Sequence, residues 1–163
     1  MLKASFYKIE KALKREVINH YGDRLLSMVI FGSAARGTQR FDSDFDFLIV
    51  CDELPKGRLK RIREFEKIEN KLQSLLEKLR AHGCNIQLSP LFKTRKEVIH
   101  GSPIFLDMIE DSKIIYDRDH FFSKILDRMK ERLAALGAKR VWRGSAWYWD
   151  LKPDFKPGEI FEI

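Results

Sequence analysis

Two aspartates separated by one residue, Asp44 and Asp46, stand at the start of an apolar segment of the sequence. In an extended strand, alternate side chains point to the same face, so these two carboxylates would project side by side. Neighbouring carboxylates repel each other unless a cation lies between them. Mg²⁺ typically binds one or two carboxylates and completes its shell with substrate phosphates and water. The pair therefore predicts a metal site at the beginning of a strand.

A short glycine turn precedes the aspartates in the sequence. Gly32 directly follows an apolar run, and the small residues after it can begin a helical turn whose free backbone N–H groups bind an anion. The hydroxyl of Ser33 would add a donor, and Arg36 would add positive charge. If the two flanking strands are neighbours, the anion site and the carboxylate pair share one pocket. Phosphate and metal together indicate phosphoryl or nucleotidyl transfer.

Other catalytic signatures do not fit the sequence. Gly32 and Gly37 have the spacing of the first half of a Walker A loop, but Thr38-Gln39 follows where that loop requires Lys-Ser/Thr. Neither G-x-G-x-x-G nor the G-x-S-x-G turn of a serine hydrolase occurs. The two cysteines and four histidines are scattered, which argues against a zinc site and favours buried, reduced thiols.

Apolar periodicity predicts the elements that would position the glycine turn and the aspartates. Steps of three and four predict long helices over residues 2–21 and 58–81, and another after Asp119, its predicted N-cap. Short apolar runs predict strands at residues 25–31, 45–51, 85–92 and 113–116, and Pro103 begins a short helix. Pro90 favours an edge or a bulge for the third strand. This order predicts an α/β (α+β) fold, a small mixed sheet flanked by helices.

The sequence divides into a predicted domain over residues 1–137 and an aromatic C-terminal tail over residues 138–163. The aromatic residues of the tail are Trp142, Trp147, Tyr148 and Trp149. They could stack on nucleic-acid bases, but aromatic tails more often pack on the body of the protein or on a partner subunit. The alternating pattern of Glu159–Ile163 predicts an edge strand that could pair across a homodimer.

The composition is that of a globular protein with a basic surface. Among 163 residues, 31 Lys and Arg against 24 Asp and Glu give a net charge of +7. Such an excess suits a polyphosphate or a nucleic acid, although it also suits a surface rich in ion pairs, and nucleic acid is not favoured. The longest apolar run, residues 47–51, is far below the ~18 residues of a membrane span. No apolar signal segment begins the sequence, so we expect a cytoplasmic protein.

The glycine turn and the acidic strand resemble the signature of the DNA polymerase β-like nucleotidyltransferase superfamily, in its minimal, antitoxin-like form. The resemblance is carried by Gly32-Ser33, a spacing of ten residues, and then Asp-x-Asp on a strand. It covers residues 25–51 closely and the order of elements to about residue 116 loosely. The resemblance implies a nucleotidyltransferase with a mixed sheet flanked by helices.

The resemblance also implies roles for individual residues. Gly32 and Ser33, with Arg36, would bind the phosphates of a nucleoside triphosphate. Asp44 and Asp46 would be catalytic and would hold two Mg²⁺ ions. The implied reaction is transfer of a nucleoside monophosphate, AMP from ATP, to an acceptor hydroxyl.

The sequence departs from the family pattern at the third carboxylate, which the family usually places on the next strand. Gln87 or Ser89 would occupy that place, and neither side chain is a good base. We therefore expect activity that is weak, dependent on a partner or lost. The alternatives are an antitoxin-like regulatory protein that binds and AMPylates a HEPN-type toxin, and a degenerate nucleotide-binding protein.

Overall fold

A mixed sheet of four strands positions the residues singled out above. The computed structural model of the chain describes residues 2–163, so Met1, where the predicted domain begins, lies outside the described residues. The strands are β1 (Leu25–Ile30), β2 (Asp44–Cys51), β3 (Gln87–Thr94) and β4 (Lys113–Asp117), in the order β3-β2-β1-β4. β1 is antiparallel to both β2 and β4, whereas β2 and β3 are parallel. The predicted mixed sheet is confirmed, and β3, which contains Pro90, is an edge strand.

Helices cover both faces of the sheet. α1 (Leu2–Tyr21) and α3 (Arg58–Ala81) pack on one face, and α3 is the crossover that parallel strands require. The other face carries α4 (Arg95–His100), α5 (Ile104–Glu110) and α6 (Phe121–Leu136). Within residues 2–163, no helix has the length and apolarity needed to cross a membrane.

The two central strands are apolar because helices cover both of their faces. Every residue of β1 is buried, and β2 is buried from Phe47 to its end. Phe45 and Phe47 contribute to the core under α1 and α3, whereas Leu48 contributes to the core under α5 and α6. Such strands read as continuous apolar runs. The free thiols of Cys51 and Cys84 are buried in the first of these cores, as predicted.

α4 is an element that sequence reasoning missed. Thr94 is its N-cap: its hydroxyl accepts from the backbone N–H of Glu97, and the Glu97 carboxylate accepts from the backbone N–H of Thr94. This reciprocal capping box is visible in the sequence as Thr-x-x-Glu. Arg61 fixes the same carboxylate with two hydrogen bonds of 2.8 and 2.9 Å. The sequence therefore contained a local signal for the start of α4, and the ion pair between Arg61 and Glu97 stabilises the same capping box.

The predicted N-cap of α6, Asp119, is wrong. Its backbone is left-handed, with φ of 54°, and it precedes the helix. Asp117, the last residue of β4, instead accepts from the backbone N–H groups of Phe122 at 2.9 Å and Ser123 at 3.0 Å. The hydroxyl of Ser27 donates to the same carboxylate at 2.7 Å, so one side chain joins β1, β4 and α6.

The C-terminal segment differs from its predicted form. A hairpin of β5 (Lys139–Arg143) and β6 (Ala146–Asp150) precedes it, and Glu159–Ile163 forms no strand, contrary to prediction. The carboxylate of Glu159 instead pairs with Lys152 and accepts from the backbone N–H of Lys156, which turns the segment back on itself.

We expect Asp117→Asn to lower the free energy of unfolding by about 1–2 kcal/mol near neutral pH, because a cap carboxylate is lost. Burial raises the pKa of Asp117, but hydrogen bonds from Ser27, Ser123 and the backbone of α6 outweigh it, so the pKa is lowered overall. Its stabilisation is therefore complete above the unfolded pKa of about 3.9 and is lost as the pH falls through the lower folded pKa. Urea denaturation across pH measures this effect. Asp119→Asn is the control, and an equal loss in both variants would contradict the assignment.

Candidate active site

The glycine turn after β1 lies directly against the beginning of β2. In the antiparallel pairing, Ile30 is opposite Phe47, and the backbone N–H of Phe31 donates to the carbonyl of Asp46 at 3.1 Å. Gly32 has φ of 68°, and a Cβ built there would lie 2.5 Å from Oδ2 of Asp46. Two features therefore favour glycine at position 32. Its backbone is left-handed, and the Asp46 carboxylate occupies the space that a side chain would need.

The predicted turn after Gly32 is a short helix, α2 (Gly32–Arg36). Ser33 lies in its first turn, and the Ser33 carbonyl accepts from the backbone N–H groups of Gly37 and Thr38, which ends the helix. The Ser33 hydroxyl makes no hydrogen bond to any other part of residues 2–163. Arg36 is exposed at the end of α2, and its charge acts on Asp46. Ser33 and Arg36 thus keep side-chain donors for a ligand.

Asp44 and Asp46 form the predicted pair at the start of β2. Asp44 is exposed and Asp46 is half-buried. Burial raises the pKa of Asp46 above its ordinary range, and the neighbouring charge of Asp44 adds to the rise; a hydrogen bond with Ser89 and the charge of Arg36 oppose it. The site therefore holds two carboxylates whose repulsion a cation would relieve.

β3 places Ser89 beside Asp46. The parallel register sets Gln87 opposite Asp44 and Ser89 opposite Asp46, and the Ser89 side chain hydrogen-bonds the Asp46 carboxylate. Residues 2–163 contain no cluster of three or more His, Cys, Asp or Glu arranged to hold a metal ion. Of the two residues considered for the place of the third carboxylate, Ser89 is therefore the one that reaches the pair.

The donors at this site fit a hard divalent cation. Asp44 and Asp46 offer only oxygen ligands, which Mg²⁺ prefers. Two carboxylates are too few for an all-protein cage, so phosphate oxygens and water would complete the coordination shell. Gly32, the first residue of the turn, lies directly against the Asp46 carboxylate.

Trp147 also contacts Arg36 of the candidate site, whereas the sequence predicted an aromatic tail that packs on the protein or a partner subunit, or stacks on nucleic-acid bases. Its ring centroid lies 5.0 Å from the guanidinium carbon of Arg36. The two residues of the hairpin turn, Gly144-Ser145, are a sequence signal for the hairpin that carries Trp147. Its contact with Arg36 has no local signal, because it joins segments 111 residues apart.

Comparison with known proteins is consistent with this geometry. The family model described as "Nucleotidyltransferase domain" matches residues 7–103, which include the glycine turn, both aspartates and β3. A protein of Methanocaldococcus jannaschii, provisionally named protein adenylyltransferase MJ1305, is 37% identical over 112 residues, 68% of this chain and 71% of that protein.

Solved structures with a similar fold include spectinomycin adenyltransferase AAD(9) from Enterococcus faecialis, with ATP and spectinomycin. The TM-score is 0.54 at 15% identity, with 80% of this chain and 66% of that chain covered. A tri-AMPylated Shewanella oneidensis HEPN toxin in complex with MNT antitoxin gives a TM-score of 0.40 at 14% identity, with 84% and 93% covered. The match of the family model over most of the chain confirms the resemblance found in the sequence, and the chain belongs to the nucleotidyltransferase domain family.

Proposed function

We propose that this nucleotidyltransferase transfers AMP from ATP, with Mg²⁺, to a hydroxyl group of a protein. The observation that carries the proposal is the approach of Gly32 to the Asp46 carboxylate, which brings the glycine turn and the acidic pair together. The adenylyl group and the protein acceptor are supported by the name of the Methanocaldococcus jannaschii relative.

Each residue of the site has a role in this proposal. Ser33 and Arg36 bind the triphosphate through the hydroxyl and the guanidinium, and Gly32 lets the phosphates approach the backbone. Asp44 and Asp46 hold Mg²⁺, which, when bound, stabilises charge on the phosphates and favours ionisation of the acceptor hydroxyl. The acceptor oxygen bonds to the α-phosphorus, the bond to the leaving pyrophosphate breaks, and the acceptor proton passes to water, since Ser89 is not a base.

A second candidate function follows from Ser89 at the place of the third carboxylate. A site with two carboxylates can still bind a metal-bound nucleotide, while transfer without a base is slow. Such a protein would regulate a partner, for example a HEPN-type toxin, by binding it rather than by modifying it. The two candidates differ in one measurable respect, which is whether a partner gains the mass of AMP.

The double variant Asp44→Asn with Asp46→Asn is expected to lose at least ~100-fold in transfer rate, because the carboxylates that hold the metal are gone. The measurement is incubation with each labelled nucleoside triphosphate, Mg²⁺ and cell extract, followed by mass analysis of the labelled product. Asp42→Asn, an exposed neighbour of the pair, is the matched control. Undiminished transfer in the double variant would contradict the site. A wild type that binds ATP but labels nothing would favour the regulatory candidate.

Gly32→Ala and Gly37→Ala form a second matched pair. Both positions have positive φ, 68° and 73°, so alanine strains the backbone similarly at each. Only at position 32 would the new Cβ meet Asp46, since nothing lies within 4 Å of a Cβ at position 37. We expect both variants to lower Tm, Gly32→Ala by more because its Cβ also meets Asp46, and a loss of Mg²⁺-dependent ATP binding and transfer of about tenfold or more only in Gly32→Ala. Equal effects on binding would show that the contact with Asp46 is not needed.

Ser89→Asp would restore a carboxylate beside Asp46. We expect faster transfer, by about tenfold or more, because a positioned base contributes typically 10²–10⁴-fold. Without Mg²⁺ the three carboxylates repel each other, so Tm should be lower than in the wild type, and added Mg²⁺ should raise it by more. Gln87→Asp, at the register position opposite Asp44, is the control. Equal acceleration by both variants, or none by Ser89→Asp, would refute the role assigned to this position.

A further inference from the structure

The C-terminal hairpin contacts the candidate site although it lies outside the residues that the family model matches. The match covers residues 7–103, whereas β5 and β6 span residues 139–150. The contact is made by Trp147, whose ring centroid lies 5.0 Å from the guanidinium carbon of Arg36. Residues beyond the matched domain therefore complete the surroundings of the proposed phosphate-binding arginine.

Trp147 is fixed by contacts that do not involve Arg36. Its indole N–H donates to Asp107 of α5 at 3.1 Å. On the paired strand, Trp142 lies opposite Trp147, and their ring centroids are 5.0 Å apart. The neighbouring Trp149 packs against the core under α5 and α6. The indole is thus held in place by the hairpin and by α5, and it offers Arg36 a rigid aromatic surface.

The guanidinium groups of Arg36 and Arg140 both contact the Trp147 indole, but only Arg140 forms an ion pair. The guanidinium carbon of Arg140 lies 5.3 Å from the Trp147 ring. Arg140 also donates to Asp111 at 2.7 Å, with only 19% and 16% of the two side chains exposed. The Arg36 side chain forms no hydrogen bond or ion pair with any described residue, so the N–H donors of its guanidinium stay available. Arg140 is neutralised locally, and Arg36 keeps its charge for a ligand.

An arginine stacked on an aromatic ring presents its N–H groups along the edge of the guanidinium plane, in the fork that suits phosphate oxygens. A long, exposed side chain normally loses conformational freedom when it binds an anion, and stacking removes part of that cost beforehand. Arg36 ends α2, the short helix that begins at Gly32, and the backbone of Gly32 lies against the Asp46 carboxylate. The stacked arginine is therefore preorganised beside the acidic pair.

We propose that Trp147 is a positioning residue for the transfer reaction, which holds the Arg36 guanidinium toward the triphosphate of the nucleotide. This inference rests on the proposed function and adds the C-terminal hairpin to the nucleotide site. It differs from a purely structural role, in which Trp147 would only attach the hairpin to α5.

The test is a double-mutant cycle of Trp147→Leu and Arg36→Ala. Each single variant is expected to raise KM for ATP about five- to tenfold with kcat within about twofold, since a stacked arginine is lost from substrate binding. The double variant should be no worse than Arg36→Ala, because Trp147 acts through Arg36. Trp147→Phe, which keeps an aromatic face, should recover most of the affinity. Tyr148→Ala is the control, since Tyr148 lies on the other face of β6 and contacts Arg143.

The dissociation constant of inorganic triphosphate with Mg²⁺, measured by calorimetry on the same variants, separates this inference from the proposed function. If the wild type transfers no nucleotide, the proposed function is contradicted. The role of Trp147 can still be tested, because non-additive losses of triphosphate affinity in the Trp147 and Arg36 variants would support it. Additive losses in the double variant, unchanged affinity in Trp147→Leu, or no binding of triphosphate by the wild type would each overturn it.

Discussion

The contact between the Asp46 carboxylate and the backbone at Gly32 is the constraint on which the rest of the site depends. The antiparallel register of β1 and β2 makes the chain that leaves β1 pass directly in front of Asp46, and the hydrogen bond from Phe31 to the Asp46 carbonyl holds it there. The carboxylate occupies the space of a side chain at position 32. Any larger residue at position 32 would require the Asp46 carboxylate or the turn to shift, so the close approach of the glycine turn to the acidic pair depends on the absence of a Cβ there.

The parts of the fold that follow from local chemistry could be predicted from the sequence. α1 and α3 have the predicted ranges because a long amphipathic pattern leaves few alternatives, and the central strands were recognisable because helices bury both of their faces. The residue that caps α6 could not be predicted from its distance along the sequence alone. Asp119 is nearer to the helix, but the left-handed turn at residues 119 and 120 takes it out of position, and Asp117 reaches the helix from β4.

The part of the candidate site that lies at the ends of the neighbouring strands β1 and β2 could be predicted from the sequence. Gly32 follows the end of β1 and the two aspartates begin β2, and because these strands pair, a spacing in sequence becomes a short distance in space. The contact of Trp147 with Arg36 depends instead on where the hairpin docks, which the hydrogen bonds of Trp147 to Asp107 and of Arg140 to Asp111 determine. Alternation along the hairpin shows which side chains share a face, but it does not say what that face covers.

The place of Ser89 links the stability of the fold to the chemistry of the site. Asp46 is half-buried, with Asp44 beside it, and burial and that neighbouring charge both disfavour its ionised form. A third carboxylate in β3 would add a second repulsive neighbour, whereas the Ser89 hydroxyl stabilises the ionised form by a hydrogen bond. Ser89 thus opposes the effects of burial and of Asp44 on the pKa of Asp46, although that pKa stays raised. In the proposed reaction, a serine at this position also leaves the acceptor's proton without a nearby base, so weak repulsion in the metal-free site and fast transfer would make opposite demands on position 89.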